Sequence, residues 1–161
     1  MVVLKLGCYS PVWKGLCEYT RFYFIATQGG PVAVDGVRGN GQVWEYNPTK
    51  ETLTLIVEAP PSGDVLDEPD NVTVSPFGDL FLCEDGGGEQ FVVGVDLDGL
   101  LYKFARNNID ESEFAGACFS PDGKTLFVNS QGVGITYAIW GPWTPLDDEG
   151  TEGGGDEGDE D

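Results

Sequence analysis

The chain has 161 residues, 40% of them hydrophobic, and carries 28 acidic against eight basic side chains, for a formal charge of −20. That length and apolar share allow one domain with a buried core, while no apolar run reaches the ~18 residues of a membrane helix, which argues against a membrane partner. The acidic body lacks the positive field that nucleic-acid binding requires, and the first residues lack the pattern of a signal peptide, so the compartment stays open.

Charge is concentrated at one end. Asp147 to Asp161 holds nine acids and five glycines with no hydrophobic residue, and the rest of the chain carries −11. A segment with nothing to bury is expected to be disordered, which divides the chain into a folded unit, 1–145, and a Gly/Asp/Glu-rich tail, 146–161.

The elements in between read as strands. Tyr23-Phe24-Ile25 followed by Gly29-Gly30 is a first apolar run, and Gly41 to Val57, GQVWEYNPTKETLTLIV, reads as strand, polar turn, strand. Asn71 to Asp85, NVTVSPFGDLFLCED, and Phe91 to Phe104, FVVGVDLDGLLYKF, repeat that plan. Glu113 to Asn129, EFAGACFSPDGKTLFVN, repeats it again, with Ser120-Pro121 against Ser75-Pro76 and Leu126-Phe127-Val128 against Leu80-Phe81-Leu82. In the turn Ser120-Pro121-Asp122-Gly123, proline presets φ and glycine accepts the positive φ that closes the hairpin. The apolar runs on either side read as a strand buried on both faces.

The offset of about 45 residues between copies is that of one propeller blade, and no stretch sustains helical periodicity. The fold class is therefore all-β: antiparallel β-propeller blades, two to three in number, an incomplete propeller with a disordered acidic tail. So few blades cannot close around an axis, so they belong to a longer chain, self-associate, or leave open sheet edges. Cys8, Cys17, Cys83 and Cys118 show no C-x-x-C spacing, which argues against structural zinc, and Cys83 and Cys118 read as buried thiols within strands. Trp13, Trp44, Trp140 and Trp143 are expected between blades.

In a propeller the first strand of each blade lines the central channel. If Pro69 to Val74 and Glu113 to Phe119 are such strands, Glu68 or Asp70 and Glu113 arrive near the axis from adjacent blades. Gathered carboxylates repel unless a cation sits among them, and hard oxygen donors favour calcium or ferric iron. Quieter roles stand beside these: Asp70 with Asn71 as a turn that starts a strand, Glu84 and Asp85 as a solvated loop before Gly86-Gly87-Gly88, and Asn129 as a strand end. That glycine run could cradle phosphate, although it lacks the lysine and helix of a phosphate-binding loop. Arg106 could clamp phosphate or form an ion pair. The chain contains no histidine, which excludes any mechanism that depends on one.

Several segments together resemble the PhoX-type alkaline phosphatases: GQVWEYNP, PDNVTVSP, LCEDGGG, FARNN, SEFAGACFSPDGKTLFVN and GITYAIWGPW, in that family's order. The likeness spans roughly Gly15 to Trp143 and corresponds to the family's C-terminal portion. It implies a calcium- and iron-dependent phosphomonoesterase on a six-bladed propeller, typically exported, with Asp70, Glu84 and Glu113 as metal ligands, Arg106 toward phosphate and a phosphate monoester as substrate. The chain departs from the pattern at Lys14-Gly15, where the family has a metal-binding Glu-Gly, with Glu18 close but out of register. The family's earlier blades, with a cysteine expected on iron, have no counterpart. The resemblance so modified implies a segment that is inactive or weak alone; the alternative is a non-enzymatic cation-binding or interaction module built from blades.

Overall fold

The computed structural model describes residues 2–5, 21–34, 36–141 and 143. The expectations for Cys8, Trp13, Lys14, Cys17, Glu18 and the 146–161 tail lie outside the described residues. Among those described there are eleven strands and no helix: β1 (Val2–Lys5), β2 (Phe22–Ala26), β3 (Gln42–Asn47), β4 (Thr52–Glu58), β5 (Pro69–Val74), β6 (Leu80–Glu84), β7 (Phe91–Val95), β8 (Leu101–Arg106), β9 (Phe114–Phe119), β10 (Thr125–Ser130) and β11 (Ile135–Trp140). They form three antiparallel meanders, β1-β2-β3-β4, β5-β6-β7-β8 and β9-β10-β11. The incomplete, propeller-like arrangement expected from the repeats is what is found.

Three hairpin turns follow from their residues. The carbonyls of Ser75, Asp96 and Ser120 accept the N–H of Gly78, Gly99 and Gly123 at 3.2, 3.0 and 2.8 Å. These glycines sit at φ of +98°, +82° and +69°, where a Cβ would be strained. The turns at Gly78 and Gly123 also touch, since a Cβ on Gly123 would lie 2.7 Å from the Pro76 ring.

The second sheet lies between the other two: β5 contacts β1 and β2 on one side and β9 on the other, and β9 also reaches β6. The strands that open each meander are therefore neighbours, as blades around an axis require. Side chains of β6 and β7 alternate between two cores. Leu80, Leu82, Phe91, Val93 and Val95 join Ile25, Val43, Val57 and Leu66 of the first-sheet side. Phe81, Cys83 and Val92 join Phe114, Ala117, Leu126 and Val128 of the third. All ten residues of β6 and β7 are buried.

Three expectations are corrected. The β9–β10 hairpin is buried on one face only, with Phe127 38% exposed, because no described strand or sheet packs on its outer side. Cys118, the cross-strand partner of Phe127, is exposed for the same reason, whereas Cys83 is buried as expected. Trp140 is 74% exposed, on the outer side of the edge strand β11. Trp143 does pack between sheets, stacking on Phe77 at 5.9 Å and meeting Phe81, Phe104 and Phe119, with its Nε1–H donated to the Lys124 carbonyl at 2.8 Å.

Candidate metal centre

At one end of the second and third sheets, three acidic residues leave the ends of three strands. Asp70 is the second residue of β5, where Pro69 pairs with Glu84 and Asn71 with Cys83, so Asp70 is the extra residue of a bulge. A bulge re-aims the side chain it carries. Asp85 follows β6, and its N–H continues the ladder onto the Glu68 carbonyl at 3.1 Å. Glu113 precedes β9, and its carbonyl accepts the Gln131 N–H at 3.1 Å. One carboxylate oxygen from each of Asp70, Asp85 and Glu113 lies within 4.8 Å of the other two.

Their electrostatics are those of an incomplete charge balance. The Glu113 carboxyl is pushed up to about 7, first by burial, then by the Asp85 charge, the hydrogen bond it shares with Asp85 and the Asp70 charge. Its Oε2 is buried, and no donor group among the described residues reaches it. Two carboxylates so close must share a proton or a cation, and a cation removes the repulsion without neutralising either ligand. Donors that are all carboxylate oxygens fit a hard ion rather than a soft one.

Glu84 is placed elsewhere. It is buried, with Oε1 accepting the Asp67 N–H at 2.9 Å and Oε2 the Phe91 N–H at 3.1 Å. Burial pushes it up to about 7 against the lowering effect of those two bonds and of Lys103. Its place is to fasten the 67 loop to the start of β7. Alternation along β6 separates the two acids: Leu80 and Leu82 face the first sheet, as does Glu84 by parity, whereas Phe81 and Cys83 face the third, where Glu113 lies. Parity thus carries the signal that Asp85, rather than Glu84, points toward Glu113.

The remaining candidates also fall into place. Arg106 Nη2 pairs with Glu89 Oε1 at 2.7 Å on the surface, and Asn129, inside β10, donates to the Ala115 carbonyl at 3.0 Å. The glycine run is tied inward: Gly87 N–H donates to Asp67 Oδ2 at 3.2 Å, and Gln90 Nε2 donates to the Gly86 and Gly88 carbonyls. A Cβ on Gly86 would lie 2.1 Å from Asp67 Oδ2, so any larger residue there must displace that carboxylate. Glu68, buried and ion-paired with Arg38, is raised by burial and lowered by Arg38. A cleft of about 440 Å³ opens between the first and second sheets, beside the turns rather than the acids. The carboxylate of its Glu45 is taken by Arg21 at 2.7 and 2.8 Å and by Tyr23 at 2.9 Å.

Comparison with known proteins agrees with the motif order in the sequence. The model of the family described as alkaline phosphatase PhoX matches residues 9–134. No curated protein and no solved structure matches the chain.

Proposed function

The chain belongs to the PhoX alkaline phosphatase family, and on that premise we propose that Asp70, Asp85 and Glu113 hold a calcium or iron ion in a centre for phosphomonoester hydrolysis. The observation that supports this most is the meeting of the three carboxylates within 4.8 Å, from strand ends that are far apart in sequence. A cation there would draw charge from a phosphoryl oxygen as the ester bond breaks. The protein's part is positional: the bulge at Asp70, the ladder bond at Asp85 and the Glu113–Gln131 bond fix where the three oxygens stand. Residues 1 to 161 by themselves are expected to turn over an aryl phosphate slowly or not at all. Lys14 stands where the resemblance calls for an acidic ligand, and one three-carboxylate group would hold its ion loosely.

The test is the melting temperature of the 161-residue chain with and without millimolar calcium, beside Glu113→Gln. A ligand that binds only the folded form raises stability by mass action. The acidic tail is identical in both proteins, so a rise of several degrees confined to the unsubstituted chain reports on the cluster. Equal shifts in both would count against the site.

A further inference from the structure

Resting on the phosphate-ester reading, we infer that Arg38 is a substrate-binding residue, a guanidinium held by Glu68 beside the carboxylate cluster to receive the phosphate group. The loop between β2 and β3 carries Arg38, and it stands at the same end of the molecule as the three acids. Its Asn40 carbonyl accepts the Glu68 N–H at 2.7 Å, and Gly41 lies so close to Pro69 that a Cβ there would meet the proline Cδ at 2.5 Å. Glu68 is thereby pinned from both sides, by Asn40 at its N–H and by Asp85 at its carbonyl.

Glu68 has φ of +48°, a left-handed conformation that strains a residue with a side chain. The ladder bond at 3.1 Å ties this strained residue to Asp85, one of the three clustered acids, and its buried carboxylate engages Arg38 through Nε. Glycine at this position would relieve the backbone but forfeit the carboxylate, so the strain is the cost of putting an anion there. The anion meets Arg38 at its inner nitrogen as an ion pair, without a well-aligned hydrogen bond at Glu68 Oε1.

The chain has three arginines, and they differ in what their terminal nitrogens do. Arg21 spends Nη1 on both oxygens of Glu45, and Arg106 spends Nη2 on Glu89. Arg38 meets its carboxylate through Nε, and its side chain is 44% exposed. The planar fork of guanidinium donors matches two oxygens of a phosphate monoester dianion. A dianion approaching Asp67, Glu68, Asp70, Asp85 and Glu113 is repelled, and a bound cation offsets only part of that charge. Arg38 supplies attraction from the protein's side.

The experiment is calorimetric titration of the 161-residue chain with inorganic phosphate, with and without saturating calcium, for the unsubstituted protein, Arg38→Lys, Arg38→Ala and Glu68→Gln. Calcium affinity and melting temperature are measured on each. We expect Arg38→Ala to weaken phosphate binding about tenfold or more, the loss of one charge-assisted pair, with calcium affinity not reduced. Arg38→Lys should retain part of the binding, as a point charge without the fork. Unchanged phosphate affinity in Arg38→Ala overturns the inference. So does a loss of melting temperature common to Arg38→Ala and Glu68→Gln without change in phosphate affinity, which is the mark of a purely structural pair. If the unsubstituted chain binds no calcium, the metal reading fails separately. Arg38 then stands only if its removal still weakens phosphate binding measured without calcium, and it falls if no phosphate binds.

Discussion

The β5–β6 and β9–β10 hairpins share Ser-Pro turns and matching apolar triplets, yet Phe81 is 1% exposed and its counterpart Phe127 is 38% exposed. Phe81 meets Phe77, Tyr102, Phe104, Phe119 and Trp143 edge-on, because the third sheet closes over it. Phe127 points away from the second sheet, toward no described element. The partners across the next strand pair differ in step. Phe81 faces Gly94, which the ring of Tyr102 covers so closely that a Cβ would lie 2.0 Å from its Cζ. Phe127 faces Ala138, and among the described residues no fourth strand follows β11 to lay a ring over it. One local pattern thus yields two energetic environments, and the neighbouring sheet makes the difference.

The sharpest way to break this comparison is truncation. Phe81→Ala should cost about 3–5 kcal/mol, the range for a large aromatic in a packed core, and Phe127→Ala less than about 1 kcal/mol. Urea unfolding of both variants checks it. Similar losses would mean that an element outside the described residues covers Phe127.

A somewhat smaller effect is expected at the matched small residues. Gly94→Ala forces Tyr102 off its seat and strains its hydroxyl bond to Asp79, 2.7 Å long. Overpacking of this kind costs roughly 1–3 kcal/mol. Ala138→Val, on the open side, should be close to neutral by the same melts. A Gly94→Ala protein as stable as its parent would show that the second sheet yields where it is described as tight.

The smallest effect lies at the turns. Phe77 occupies the third turn position in the second sheet and stacks on Trp143, whereas Asp122 occupies it in the third and accepts bonds from Ser120 Oγ at 2.6 Å and Lys124 N–H at 3.1 Å. Those bonds, the Ser120 one first, hold the Asp122 carboxyl below its ordinary value. A carboxyl lowered in the folded state stabilises above its unfolded pKa and loses that contribution as pH falls through the folded one. The stability gap between the parent and Asp122→Ala should therefore be small at neutral pH and vanish in acid. The gap to Phe77→Ala should be larger and insensitive to this titration. A gap for Asp122→Ala that widened on acidification would contradict the hydrogen-bond account.

Strand periodicity and turn chemistry belong to the sequence, because each is decided by residues within a few positions of one another, and the 45-residue repeat is the recurrence of those local patterns. They were enough for an all-β fold in blades and for the ends of β5 and β9 as the place where acids gather. Asp70 and Glu113 were legible for that reason. Asp85 over Glu84 needed the sense in which β6 is buried on both faces, which depends on having sheets on either side. The pairing of Arg38 with Glu68, 30 residues apart, has no local signature, and neither does the exposure of Cys118, Phe127 and Trp140. Burial and convergence are properties of what lies across from a strand, and a strand's own residues fix only which side chains point that way.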